Sequence, residues 1–214
     1  MRLNTTENEC VRAGGRGGLV IISMLVTALA ALTLIATVPG PAGAARGRGG
    51  LPCQNVNLIP SGSNLASIDS ATLCLMNRVR SLRHLAPLRW NPQLQRVATG
   101  QAADMVLGDY FGDNSRSGQT PLARILASRY PDGAVRLYTA QNIGWGTGAG
   151  GTPAGMLRAW MLSPPHRKII LTRDFRDVGI GVTPAVPAAI DRGIGGATYT
   201  VEFGVRTPKG TGRP

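Results

Sequence analysis

The chain is poor in several residue types. It has three cysteines and two histidines, and aromatic residues make up only 5% of its 214 positions. No Cys-x-x-Cys pair occurs, which argues against a thiol-redox or zinc-ribbon reading. No Gly-x-Ser-x-Gly elbow occurs either, so the serine-hydrolase signature is missing. No repeat runs through the chain, so nothing points to a solenoid or propeller. Acidic residues number 11 against 23 basic ones, a formal charge of +12. The basic residues are mainly scattered arginines, since Lys168 and Lys209 are the only lysines. Without a dense run or a basic stripe interleaved with aromatics, nucleic acid is not an expected partner. The charge favours anionic surfaces such as an acidic cell envelope, although the scattered placement of the arginines favours a general Arg, Ala and Gly bias as its source.

The chain does contain one long apolar run. Leu19 to Val38 carries no charge, follows Arg2, Arg12 and Arg16, and leads into Pro39-Gly40-Pro41-Ala42-Gly43-Ala44-Ala45. A positive flank, an apolar run and a small-residue exit read as a secretory signal, cut after Ala44 or Ala45. The run is also about long enough to span a bilayer, so an uncleaved N-terminal anchor is the alternative. Either reading puts the remainder outside the cytoplasm. Cys10 precedes the run, which leaves Cys53 and Cys74 as an even pair in an oxidising compartment, and a disulfide is expected. The predicted organisation is a leader over residues 1–44, a connecting segment over 45–64 that carries Cys53, one domain over 65–206 and a loose tail over 207–214.

Four helices are predicted. The first spans Leu65 to Leu82, where Ile68, Thr72, Leu75, Met76, Val79 and Leu82 follow a helical period. The others open on Asn91-Pro92, Thr120-Pro121 and Thr152-Pro153. In each pair a polar side chain caps free amides and proline fits the first helical position. Leu122, Ile125 and Leu126 are the expected buried face of the third helix. Ser163-Pro164-Pro165 is expected to end the fourth and to place His166 on a turn facing solvent or ligand. Strands are expected at Ala140–Trp145, at Val178–Val182 and at Thr198–Val205. In the last of these, Tyr199, Val201 and Phe203 alternate with Thr198, Thr200 and Glu202. Helices first and strands later suggest an α+β layer fold with a small antiparallel sheet. Trp90, Trp145 and Trp160 are expected in the core. His84 is assigned to a polar turn, and the Gly146-x-Gly148-x-x-Gly151 pattern, lacking a βαβ unit, to a glycine-rich loop.

Several segments, taken in order, resemble a known family. They are Leu73-Cys74-Leu75-Met76-Asn77-Arg78-Val79-Arg80, then Pro87-Leu88-Arg89-Trp90-Asn91-Pro92-Gln93-Leu94, then Ala103-Asp104-Met105 and Gly108-Asp109-Tyr110-Phe111. Gln141-Asn142-Ile143, Trp160-x-x-Ser163-Pro164-Pro165-His166-Arg167 with Ile170-Leu171, and Val178-Gly179-Ile180-Gly181-Val182 complete the set. Their order and spacing resemble the bacterial secreted CAP domains, the superfamily of cysteine-rich secretory proteins, antigen 5 and pathogenesis-related proteins. The resemblance covers about Ala66 to Val205. It implies an α-β-α sandwich with three antiparallel strands between helical layers.

The resemblance also implies a groove lined by two histidines and one or two glutamates, which in some members bind a divalent metal. Carried over position by position, the first histidine is Asp113, the glutamate is Gln141, the second histidine is His166, and Ser163 stands where another acid often lies. A neutral amide cannot serve as a general base or a charged ligand. Asp113 and His166 alone fall short of the three protein ligands of a catalytic zinc site. The expected function is therefore a secreted, monomeric binding module without catalysis or cofactor. It would use Asp113, Gln141 and His166 to take an extracellular ligand, such as a lipid or an anionic envelope component. The alternative is a metal-assisted hydrolase, with zinc as the metal, built on His166 and Asp113.

Overall fold

The computed structural model describes residues 2–5, 52–190 and 195–208. Nearly all of the predicted leader, including the apolar run and the cleavage point, lies outside the described residues, as does the tail beyond Pro208. Among the described residues no helix is long and apolar enough to cross a membrane.

The predicted helix starts form as the cap chemistry requires. Helix α1 spans Leu65–Ser81. Helix α2 spans Pro92–Leu107, where the Asn91 side chain accepts from the amides of Gln93 and Leu94. Helix α3 spans Pro121–Ala127 behind Thr120, and α4 spans Pro153–Leu162 behind Thr152; each threonine hydroxyl accepts one first-turn amide. The expected turn at Ser163 is instead a junction between helices. Pro164 and Pro165 end α4 and occupy the first turn of a fifth helix, α5, over Pro164–Ile170. Proline lacks only an amide that the first turn leaves free, so the residues that stop one helix can start the next.

The sheet is larger than predicted. Strand β3 covers Ala134–Thr147, β4 Asp177–Thr183 and β5 Gly196–Pro208. These three are antiparallel, with β5 central. Two short edge strands extend the expected three. Arg89–Trp90 (β2) runs parallel to β4, and Arg2–Thr5 (β1) runs antiparallel to β3 at Asn142–Trp145. The strand order is β1-β3-β5-β4-β2. The sheet takes in Thr207 and Pro208, which the sequence pattern assigns to the tail.

Helical layers cover both faces. Tyr199, Val201 and Phe203 on one face join Ile180, Val178 and residues of α1, α4 and α5, including Ile68, Met76, Trp160 and Ile170, in the main core. The other face carries α2. A Cβ on Gly179 would run into the Leu94 backbone, and one on Gly181 would run into that of Ala98. The two glycines let helix and strand backbones touch. A smaller cluster of Leu94, Ile125 and Tyr130 packs beside them. Ile125 is buried as expected, but Leu122 and Leu126 are 50% and 56% exposed, because the short α3 turns a single residue per turn inward. Trp160 is fully buried while Trp90, on an edge strand, is 40% exposed. Cys53 and Cys74 form the expected disulfide, which ties the connecting segment to α1.

Candidate functional site

The loop from α2 to α3 is anchored from both ends. Tyr110 hydrogen-bonds Asp104, Gln101 Nε2 donates to the Gly112 carbonyl at 3.0 Å, and Arg124 Nη2 donates to the Asp113 carbonyl at 2.8 Å. Asp113 is thereby held at the wall of a cavity of about 640 Å³. Pro121, Leu122 and Ile125 of α3 form an apolar side. The sheet supplies Gln141 from β3 and Glu202 from β5, which stand opposite each other in register. Gln141 Nε2 donates to Glu202 Oε1 at 2.6 Å.

Both side chains are 0% exposed, and each keeps one oxygen, Gln141 Oε1 and Glu202 Oε2, without a hydrogen-bond partner. Asp113 Oδ1 is a third such oxygen. Burial pushes the Glu202 carboxyl up to about 7. Its hydrogen bond from Gln141 and the charge of Arg124 oppose that rise, and Asp113 adds to it. Burial likewise raises Asp113 to about 6, against the pull of Arg124. Burial also lowers the pKa of Arg124 itself, with Glu202 and Asp113 among the groups that resist the change.

His166 does not line this cavity. It sits on α5 and is 2% exposed, not displayed on a turn, and its Nδ1 lies 2.7 Å from Ser163 Oγ. Successive residues of a strand point to opposite faces. Gln141 reaches Glu202 on the α2–α3 side, whereas the next residue, Asn142, reaches across the other face and donates to the His166 carbonyl at 3.2 Å. The structure thus brings Asp113 and Gln141 together and puts His166 on the far side of the sheet. Asn142 ties strand to helix here. His84 lies exposed at a positive φ of 54°, and the glycine pattern starts within β3 at Gly146 and continues into the 3-10 turn Gly148–Gly151 that leads to α4.

Glu202 is the site residue that sequence reasoning misses. Its signal is present in the β5 alternation, but polar residues alternating with apolar ones normally mark a solvated face. Here Thr198, Thr200 and Glu202 are all buried, the last two paired with Gly181 and Gly179, on which α2 rests. The donor set of two carboxyls and one amide does not suit zinc, which favours nitrogen and sulfur ligands and at least three protein side chains. Among the described residues no group of three His, Cys, Asp or Glu side chains is placed to hold a metal ion.

Fold and site together define a sandwich domain with a polar recessed cavity between the sheet and α3. Residues 73–185, just over half of the chain, match the model of the CAP family, described as the cysteine-rich secretory protein family, and the chain belongs to that family. It is 32% identical over 111 residues to the uncharacterized membrane protein YlbC of Bacillus subtilis (strain 168), covering 51% of this chain and 30% of that protein. It is 28% identical over 119 residues to the uncharacterized protein YkwD of the same organism, covering 56% of this chain and 44% of that one. The matches therefore span less than half the length of either relative. Among solved structures, an extracellular protein containing a SCP domain from Bacillus anthracis matches at a TM-score of 0.50 and 25% identity, over 67% of this chain and 43% of that one. An outer surface protein from Borrelia burgdorferi matches at a TM-score of 0.53 and 17% identity, over 70% of this chain and 97% of that one; that likeness concerns the fold alone.

Proposed function

We propose that this chain is an extracellular recognition domain that binds its ligand in the cavity walled by Asp113, Gln141 and Glu202, without catalysing a reaction. The observation that carries the reading is the set of three buried, unpartnered oxygens on one cavity. Native interiors rarely leave such atoms unsatisfied, and a recessed pocket with a few convergent polar groups is where a ligand can satisfy them. Export is supported by the charge-flanked apolar run and small-residue exit of residues 1–45. An extracellular setting is further supported by the match to the Bacillus anthracis protein, which is described as extracellular. The hydrolase alternative required His166 and Asp113 to share one centre. Their lying on opposite faces of the sheet weighs against that alternative.

The experiment is a titration of the exported protein with fractionated cell-envelope material, compared between the wild type and Gln141→Leu. Saturable binding that the variant loses while its melting profile is retained supports the reading. A measurable hydrolysis of those fractions that depends on His166 contradicts it.

A further inference from the structure

The chemistry of the ligand can be read from what the cavity walls leave unused, on the assumption that the recognition reading above holds. Gln141 and Glu202 are wholly buried, and their free oxygens, with Asp113 Oδ1, are three acceptors lacking donors. A fitting ligand therefore brings several O–H or N–H groups. The charge of the walls narrows the class. Arg124 stands behind Asp113, bonded to its main-chain oxygen, and its charge acts on both carboxyls. One fixed cation stands beside two carboxyl groups, and burial keeps that of Glu202 partly protonated near pH 7, so neither sign is in clear excess. An organic cation entering the cavity is repelled by Arg124, and an anion is repelled by Asp113 and Glu202. The side formed by Pro121, Leu122 and Ile125 is apolar and suits a face of C–H groups.

We propose that the cavity takes a neutral polyhydroxyl ligand, a saccharide unit, with hydroxyls donating to Asp113, Gln141 and Glu202 and its C–H face against Leu122 and Ile125. A saccharide offers several donors, no net charge and one apolar face, and these are the three properties the walls present in complement. The volume of about 640 Å³ falls within the range of about 300–1,000 Å³ usual for small-molecule sites.

The test uses the full chain as exported from an expression host and three trisaccharides of equal length. These are N-acetylchitotriose (neutral), its fully deacetylated form (cationic) and trigalacturonate (anionic), each titrated calorimetrically up to about 10 mM. The neutral trimer is expected to bind saturably. Glu202→Gln removes the carboxylate acceptor at nearly constant volume, and Leu122→Trp narrows the mouth from an exposed helix position. Each is expected to weaken binding by about tenfold or more with melting retained. Stronger binding of either charged trimer overturns the neutral-saccharide assignment and leaves the recognition reading standing. So does binding of envelope material with no trimer bound. Neutral-trimer binding that both variants leave unchanged overturns its placement in this cavity. No binding of any trimer or of envelope material overturns both readings.

Discussion

Two buried charged residues show how much single side chains decide in this protein. Arg80, 0% exposed at the end of α1, donates to the carbonyls of Ala86, Ile170, Thr172 and Phe175 at 2.7–3.2 Å. It ties the first helix to the end of α5 and the loop into β4, using the fixed fork of guanidinium donors that lysine lacks. Arg80→Met is expected to lower stability by about 3–5 kcal/mol in a denaturant melt, because four carbonyls lose their donor together. Arg80→Lys should recover only part of that. Glu202 predicts a pH effect. Its carboxyl, raised to about 7, and that of Asp113, raised to about 6, lie above the ordinary range near 4. The folded protein therefore keeps protons that the unfolded chain has released. The contribution of these groups is full below about pH 4 and is lost as pH rises through about 6 and 7. Asp69, raised to about 7 by burial against a hydrogen bond from Gln95, acts in the same direction. The melting temperature of Glu202→Gln relative to the wild type is thus expected to rise between about pH 5 and 8, because only the wild type must give up a proton at this position. A difference that stays flat across that range would contradict the assigned burial. Neither residue is legible in the sequence. Arg80 stands in a helix segment with Arg78 two positions earlier, and only the packed layers show which arginine points inward.

At the scale of elements, boundaries are legible where side chains carry the instruction. Asn91, Thr120 and Thr152 each precede proline, and each caps the helix that follows. The misses have physical causes. Strand β3 begins well before Ala140, and because Val135 and Tyr138 are exposed its first half shows no buried alternation. Helix α5 is hidden by two prolines that both stop and start a helix. The closest contact between layers lies at Gly179 and Gly181, where α2 rests on β4 without intervening side chains. Gly179→Ala is expected to cost about 2–3 kcal/mol, since the methyl meets the α2 backbone, which cannot rotate away as a side chain would. A thermal or denaturant midpoint within error of the wild type would show that α2 stands farther off. The same spacing bears on the site, because α2 leads directly into the loop that holds Asp113.

For the molecule as a whole, the order of motifs is enough to identify the fold, since a family resemblance depends on sequence order and not on geometry. The site is only half legible for the same reason. Asp113 and Gln141 are named from motif positions, and they line one cavity. His166 is named in the same way, and the sheet separates it from them by a parity of one residue between Gln141 and Asn142. Motif spacing does not reveal on which side of a strand a neighbouring helix lands. The Cys53–Cys74 disulfide also acts at this scale, closing a loop with a sequence separation of 21 around the entry to α1. The amide of Ala154 donates to the Val56 carbonyl, so the tied segment also docks on the start of α4. Replacing both cysteines by serine is expected to cost about 3 kcal/mol and to abolish any effect of reductant on the melting temperature.

The most direct measurement compares binding of the same envelope-derived ligand to two variants, Gln141→Leu and His166→Gln, each first shown by its melting profile to be folded. The account predicts that Gln141→Leu loses the ligand and that His166→Gln holds it with an affinity close to that of the wild type. Loss of binding in His166→Gln, with Gln141→Leu unaffected, would place recognition on the opposite face of the sheet and contradict it.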